Sequence, residues 1–121
     1  MANEIRVTFN AQLQTGVLDD RLNPSSLQVD QLASGAYRSL ISVGTAEEVV
    51  GVGEITSPGW AFIQNTDATN FVTYGPDSTG MIAVGKLLPG EFAFLRLEPA
   101  VTLKIKADTA ACDVVISIWE A

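Results

Sequence analysis

Between Ile5 and Gln14 the chain alternates with a period of two. Ile5, Val7, Phe9, Ala11 and Leu13 are apolar, and Arg6, Thr8, Asn10, Gln12 and Gln14 are polar. Successive side chains of a strand point to opposite faces, so this run predicts one half-buried β-strand with Phe9 in its buried face. Truncating a buried phenylalanine costs about 3–5 kcal/mol, and that loss is expected of Phe9→Ala. Gly16 closes the run. Asp19-Asp20-Arg21 and Asn23-Pro24-Ser25-Ser26 read as polar loop and turn, after which Leu27 and Val29 begin a shorter strand.

The middle of the chain is less regular. Tyr37, Ser39, Ile41 and Val43 give one period-two face. Val49, Val50, Val52 and Ile55 form a second apolar run, punctuated by Gly51 and Gly53. Their β-branched side chains favour a strand over a helical turn at 46–50. Ser57-Pro58-Gly59-Trp60 and Leu88-Pro89-Gly90-Glu91 both carry Pro and Gly where a type II turn needs them. The polar stretch 65–70 connects a strand ending at Gln64 to one starting at Phe71, and further strands follow at 81–87, 91–97, 102–107 and 112–120. Turn signals recur about every 8–12 residues, and no segment sustains a helical period. Connections this short favour antiparallel pairing. The pattern predicts a single all-β domain over 1–121, an antiparallel β-sandwich, jelly-roll-like, with eight or nine strands.

Composition narrows the chemistry. With 121 residues, 47% of them hydrophobic and 17% charged, the chain has material for a folded core. The net charge of −7 and only seven basic residues argue against a nucleic-acid or anionic-membrane partner. Lys104 and Lys106, two apart, read as a solvated strand face. Cys112 is the only cysteine and there is no histidine, so this chain alone can form no intramolecular disulfide, no Ser-His-Asp triad and no His-ligated metal site. The N-terminus has no basic region leading into an apolar run, and no apolar stretch approaches the ~20 residues of a spanning helix. Gly51-Val52-Gly53 lacks the third glycine and following helix of a dinucleotide site. Asp67, Asn70 and Asp77 are oxygen ligands without EF-hand spacing, and Asx-turn capping is the better account of them. No catalytic, cofactor-binding or metal-ligating residues are assigned, and no cofactor is expected.

What remains points to association. In 92–97, alternation sets Phe92, Phe94 and Arg96 on one face and Ala93, Leu95 and Leu97 on the other. In 113–119, Val114, Ile116 and Ile118 face one way, and Val115 and Trp119 the other. Strands apolar on both faces call for a second buried surface, supplied by sheet-on-sheet packing or by other subunits. Trp60, Arg96, Val115 and Trp119 are therefore the candidate interface residues, since Trp and Arg are enriched among interface anchors. An arginine on an apolar face pairs with a carboxylate or stacks on a ring.

Three blocks of the second half, 57–75, 87–97 and 103–107 with 112–120, resemble short structural proteins of tailed bacteriophages. The resemblance covers residues 57–120 and is weak before them. It implies a β-rich virion protein without enzymatic activity, made in the host cytoplasm and carried in the particle. The leading expectation is a head decoration (cement) protein. It would act as a homo-oligomer, a trimer by preference, bound to the lattice of the major capsid protein. A tail, baseplate or fibre-base component is the first alternative. A carbohydrate-binding surface module, using Trp60 with Gln64 or Tyr74 with Asp77, is the second.

Overall fold

The computed structural model describes residues 4–31 and 35–121 and is all-β, with no helix among the described residues. Among the described residues twelve strands form four antiparallel sheets, more strands than the eight or nine expected. The chain divides into two compact units, Met1–Ala33 with Ala121, and Ser34–Glu120. Met1–Asn3, part of the N-terminal stretch read for a leader, lie outside the described residues.

The first unit holds two two-stranded ribbons. β1 (Ile5–Val7) pairs with β4 (Leu27–Val29), and β2 (Ala11–Thr15) pairs with β3 (Leu18–Leu22) across the two-residue turn Gly16-Val17. The single strand expected over 5–13 is thus broken at residues 8–10. Its halves take different partners, so its apolar face does not continue: Ile5 is buried, but Phe9 is 47% and Leu13 54% exposed. Phe9 is therefore not a core side chain, and the large loss expected of Phe9→Ala does not apply. Asp19-Asp20-Arg21, expected in a loop, lies within β3. Register explains this. Asp19 and Arg21 stand opposite Gln14 and Gln12, the Gln12 amide donates to Asp19 Oδ1 at 3.1 Å, and Arg21 pairs with Asp19 at 3.6 Å. Polar residues suit a ribbon face turned to solvent.

The second unit holds two four-stranded sheets. One has the order β10 (Phe92–Arg96), β7 (Pro58–Asn65), β12 (Cys112–Glu120), β5 (Ala36–Val43). The other has the order β6 (Glu48–Val49), β11 (Leu103–Ala107), β8 (Val72–Pro76), β9 (Gly85–Leu87). Both contribute to one apolar core, in which Val43, Ile63, Val72, Ile105, Val114, Ile116 and Ile118 are almost wholly excluded from solvent. The alternation read in β5, β10 and β12 holds: Tyr37 and Ile41, Ala93 and Leu95, and Val114, Ile116 and Ile118 all pack into this core.

Two sequence readings change. Ser57-Pro58-Gly59-Trp60 is not a turn, because β7 begins at Pro58. A proline at the first position of a strand gives up no ladder donor that is needed, and the Gly59 carbonyl accepts from Leu97 N–H at 2.7 Å. The apolar run Met81–Val84 is not a strand either. It lies along β8 on two bonds, Ile82 N–H to Pro76 O and Val84 N–H to Tyr74 O, each 2.9 Å, with Ile82 and Val84 exposed. The turn at 88–91 does form. Glu91 N–H donates to Leu88 O at 2.9 Å, and Gly90 takes φ +85°, which a type II turn requires at that position.

Candidate interaction surface

The face of the β10-β7-β12-β5 sheet opposite the core carries an aromatic patch. Antiparallel register lines its side chains up in rows. Arg96 stands beside Trp60, Trp60 beside Trp119 and Trp119 beside Ala36. The next row runs Phe94, Phe62, Ser117, Arg38, and the third runs Phe92, Gln64, Val115, Leu40. All four candidate interface residues, Trp60, Arg96, Val115 and Trp119, fall on this one face, in two of its rows. Alternation alone placed Phe92 and Phe94 with Arg96. Phe62, Arg38 and Leu40 were not singled out, because their adjacency appears only once register joins four strands.

The rings are ordered against one another. Trp60 and Phe94 stack at 5.0 Å with planes 5° apart, Phe94 meets Trp119 edge-on at 5.9 Å, and Phe62 lies 5.6 Å from Phe92. Such pairs add about 0.5–1.5 kcal/mol beyond their area burial. Arg96 Cζ sits 5.5 Å from the Trp60 ring centroid, within cation–π reach, and has no carboxylate partner among the described residues. The Trp60 indole N–H is enclosed and has no acceptor among the described residues. Phe92 is 60% and Leu40 64% exposed. Between Arg38, Phe62, Phe94 and Trp119, above the small side chain of Ser117, the face is hollowed by about 250 Å³. Contiguous exposed apolar surface with a polar rim marks an interaction site.

The other candidate groups are committed to structure. Asp67 Oδ2 accepts from Asn70 N–H at 2.7 Å and Thr69 N–H at 3.0 Å, the Asx-type capping expected of it, and these bonds hold its carboxyl below the ordinary range. Asp77 pairs with Lys104 at 3.4 Å and accepts from Gly80 N–H, while Glu47 pairs with Lys104 at 3.8 Å. Cys112 is buried, and burial pushes its thiol up, away from the reactive thiolate. Of the paired groups weighed for sugar binding, Tyr74 packs on the core beside Gly85 and its partner Asp77 is held by Lys104. Trp60 has one ring face covered by Phe94. No family model and no curated protein matches the chain.

Proposed function

We propose that this chain is a structural protein of a bacteriophage virion, and specifically a head decoration protein that binds the assembled capsid and stabilises it. The observation that carries the reading is the aromatic face of the β10-β7-β12-β5 sheet, an ordered apolar surface backed by a packed core. Such a surface suits association; no nucleophile–base pair accompanies it among the described residues, and we read the protein as a non-enzyme. It is made in the host cytoplasm and resides in the virion. Its partners are further copies of itself and the lattice of the major capsid protein.

The finer fold belongs to the same proposal. Counted from β5, the second unit has eight strands, and first pairs with eighth, second with seventh, third with sixth and fourth with fifth. These are the successive rungs of one long antiparallel ribbon whose rungs alternate between two sheets, which supports a jelly-roll sandwich, an architecture common in viral coat proteins. The architecture alone names no function. The weight rests on the face.

A cement protein acts by mass action, stabilising only the state it binds. The test adds the protein to capsids that lack it and heats them. Full occupancy with raised survival of the shell, and weak binding to free coat protein, is the expected result. Full occupancy with no gain in survival removes the cement role. No capsid binding, with recovery of the protein in purified tails, moves the assignment to a tail, baseplate or fibre-base component.

A further inference from the structure

The β2–β3 hairpin of the first unit is amphipathic. Its directly opposed pairs Ala11 with Leu22, Leu13 with Asp20 and Thr15 with Leu18 share one face. Gln12, Gln14, Asp19 and Arg21 form the other, closed on itself by the Gln12–Asp19 hydrogen bond and the Asp19–Arg21 ion pair. On the apolar face, Leu13, Leu18 and Leu22 are each more than half exposed, and Asp20 has no ion-pair partner among the described residues. A two-stranded ribbon is marginal in water by itself and gains from a surface that covers its apolar side.

The aromatic face has the complementary character. The chain is acidic overall, yet the charged side chains that register places on this face are Arg38, Arg96 and, at the far end beside Ser42, Asp113. Neither arginine has a carboxylate partner among the described residues. Arg96 is already stacked on Trp60, whereas Arg38 stands at the edge of the hollow beside Phe94 and Trp119. An apolar face with one carboxylate, Asp20, and an apolar face with Arg38 at the edge of a socket occur in the same chain.

We propose that the β2–β3 hairpin of one copy covers the aromatic sheet face of a second copy, with a hairpin leucine in the hollow and Asp20 against Arg38. This rests on the reading of that face as an association surface and names its occupant. Each copy then offers one hairpin and accepts one, so the contact is heterologous and closes into a cyclic oligomer when the rotation permits. Charge pairing at such a contact sets register and partner choice more than bulk affinity.

Complementation tests it. One full-length variant carries Leu18→Asp and Leu22→Asp in the hairpin; another carries Leu40→Asp and Phe92→Asp on the face. All four side chains are exposed, and near-UV circular dichroism verifies that the tryptophan environments survive. Wild type should sediment as an oligomer at micromolar concentration and each variant as a monomer. Mixed, the variants should form a one-to-one heterodimer through the one intact hairpin and the one intact face. A wild-type monomer, an oligomeric hairpin variant, or folded variants that stay monomeric when mixed each overturn the proposal. Should a double variant not fold, charge reversal decides. Asp20→Arg should weaken self-association at least about tenfold, and adding Arg38→Asp to the same chain should restore it. Failure of that restoration also overturns the pairing. Capsid binding by wild type is measured separately, so loss of the decoration reading leaves a positive complementation result standing.

Discussion

Asn65 occupies an inward position on β7, where the preceding inward residues are Ala61 and Ile63, and it is fully buried. A buried amide is tolerable only when its donors and acceptor are used. Its Nδ2 donates to Asn70 O at 2.9 Å and to Leu87 O at 3.0 Å, and its Oδ1 accepts from Asp67 N–H at 2.9 Å. It thereby joins the end of β7, the 66–70 connection and β9. Asn65→Leu keeps the number and branching of the side-chain heavy atoms but strands two carbonyls and an amide, so it should cost about 1–3 kcal/mol, read as a lowered denaturant midpoint. Glu120 works similarly at the end of β12. Its Oε1 accepts from Thr56 Oγ1 at 2.8 Å and from Ser57 N–H at 3.3 Å, and the Thr56 bond is the main reason its carboxyl lies below the usual 4.5. A carboxyl depressed by folding stabilises above its unfolded value and loses that contribution as pH falls through the folded one. The melting temperature should thus decline below about pH 4.5, and Glu120→Gln should flatten that acid limb while lowering stability at neutral pH. Neither role was legible in the sequence, where Asn65 opens a polar connection and Glu120 is one acid among many. Among their partners, Leu87 lies 22 and Thr56 64 residues away along the chain.

Element boundaries show where alternation suffices and where it fails. β5, β10 and β12 each pack one face on a large core, so a one-residue shift would expose that face, and sequence and structure agree. The ribbons have no such constraint. β3 carries Asp19, Asp20 and Arg21 because pairing with β2, not burial, makes it a strand, and nothing in its local composition distinguishes it from a loop. Pro58-Gly59 has the residues of a turn, but Gly59 is bonded to Leu97 and Pro58 is in register with Glu120. Long-range pairing overrode local turn chemistry there, while Leu88–Glu91 forms the turn its residues favour and keeps it while Gly90 N–H and Glu91 O bond to Asn65. Met81–Val84 is apolar yet no strand, because apolar content implies burial only when a second layer is present. The main chain at Ile82 instead crowds Gly75 of β8, where any Cβ would collide with the Ile82 carbonyl. Gly75→Ala must displace backbone rather than a side-chain tip. It should cost about 1–3 kcal/mol or more, measured by thermal melting, and should loosen β9 as well, since β9 pairs with β8.

At the scale of the whole chain, the same sheet that organises the core organises the aromatic face. β12 is hydrogen-bonded on both sides, to β7 and to β5, and every inward residue from Cys112 to Ile118 is buried. Alternation in β10 and β12 was enough to set Arg96 opposite Ala93 and Leu95, and Val115 and Trp119 opposite Val114, Ile116 and Ile118, but not to say which face is the core. Register was needed to bring Trp60, Phe62, Phe94 and Arg38 beside them, and register is a non-local property that one sequence does not display. The four strands of the first unit differ from β12, because among the described residues each is paired with one strand only. Amides open with free energies from near zero, in ribbons and loops, up to the global value in the best-packed strands. Hydrogen exchange on the dilute full-length protein should therefore separate the two units. The Val114, Ile116 and Ile118 amides should exchange only through global unfolding, at least about a thousandfold more slowly than the paired amides of β2 and β3, given a global stability of about 5 kcal/mol or more. Equal protection in both regions would mean that the ribbons belong to the same cooperative unit as the sheets. Raising the concentration into the range of self-association should slow the β2 and β3 amides as the hairpin gains a covering surface, and should slow β12 only through the added global stability that association confers. Protection of β2 and β3 that does not vary with concentration would place their cover within the one chain and exclude a second copy as its source.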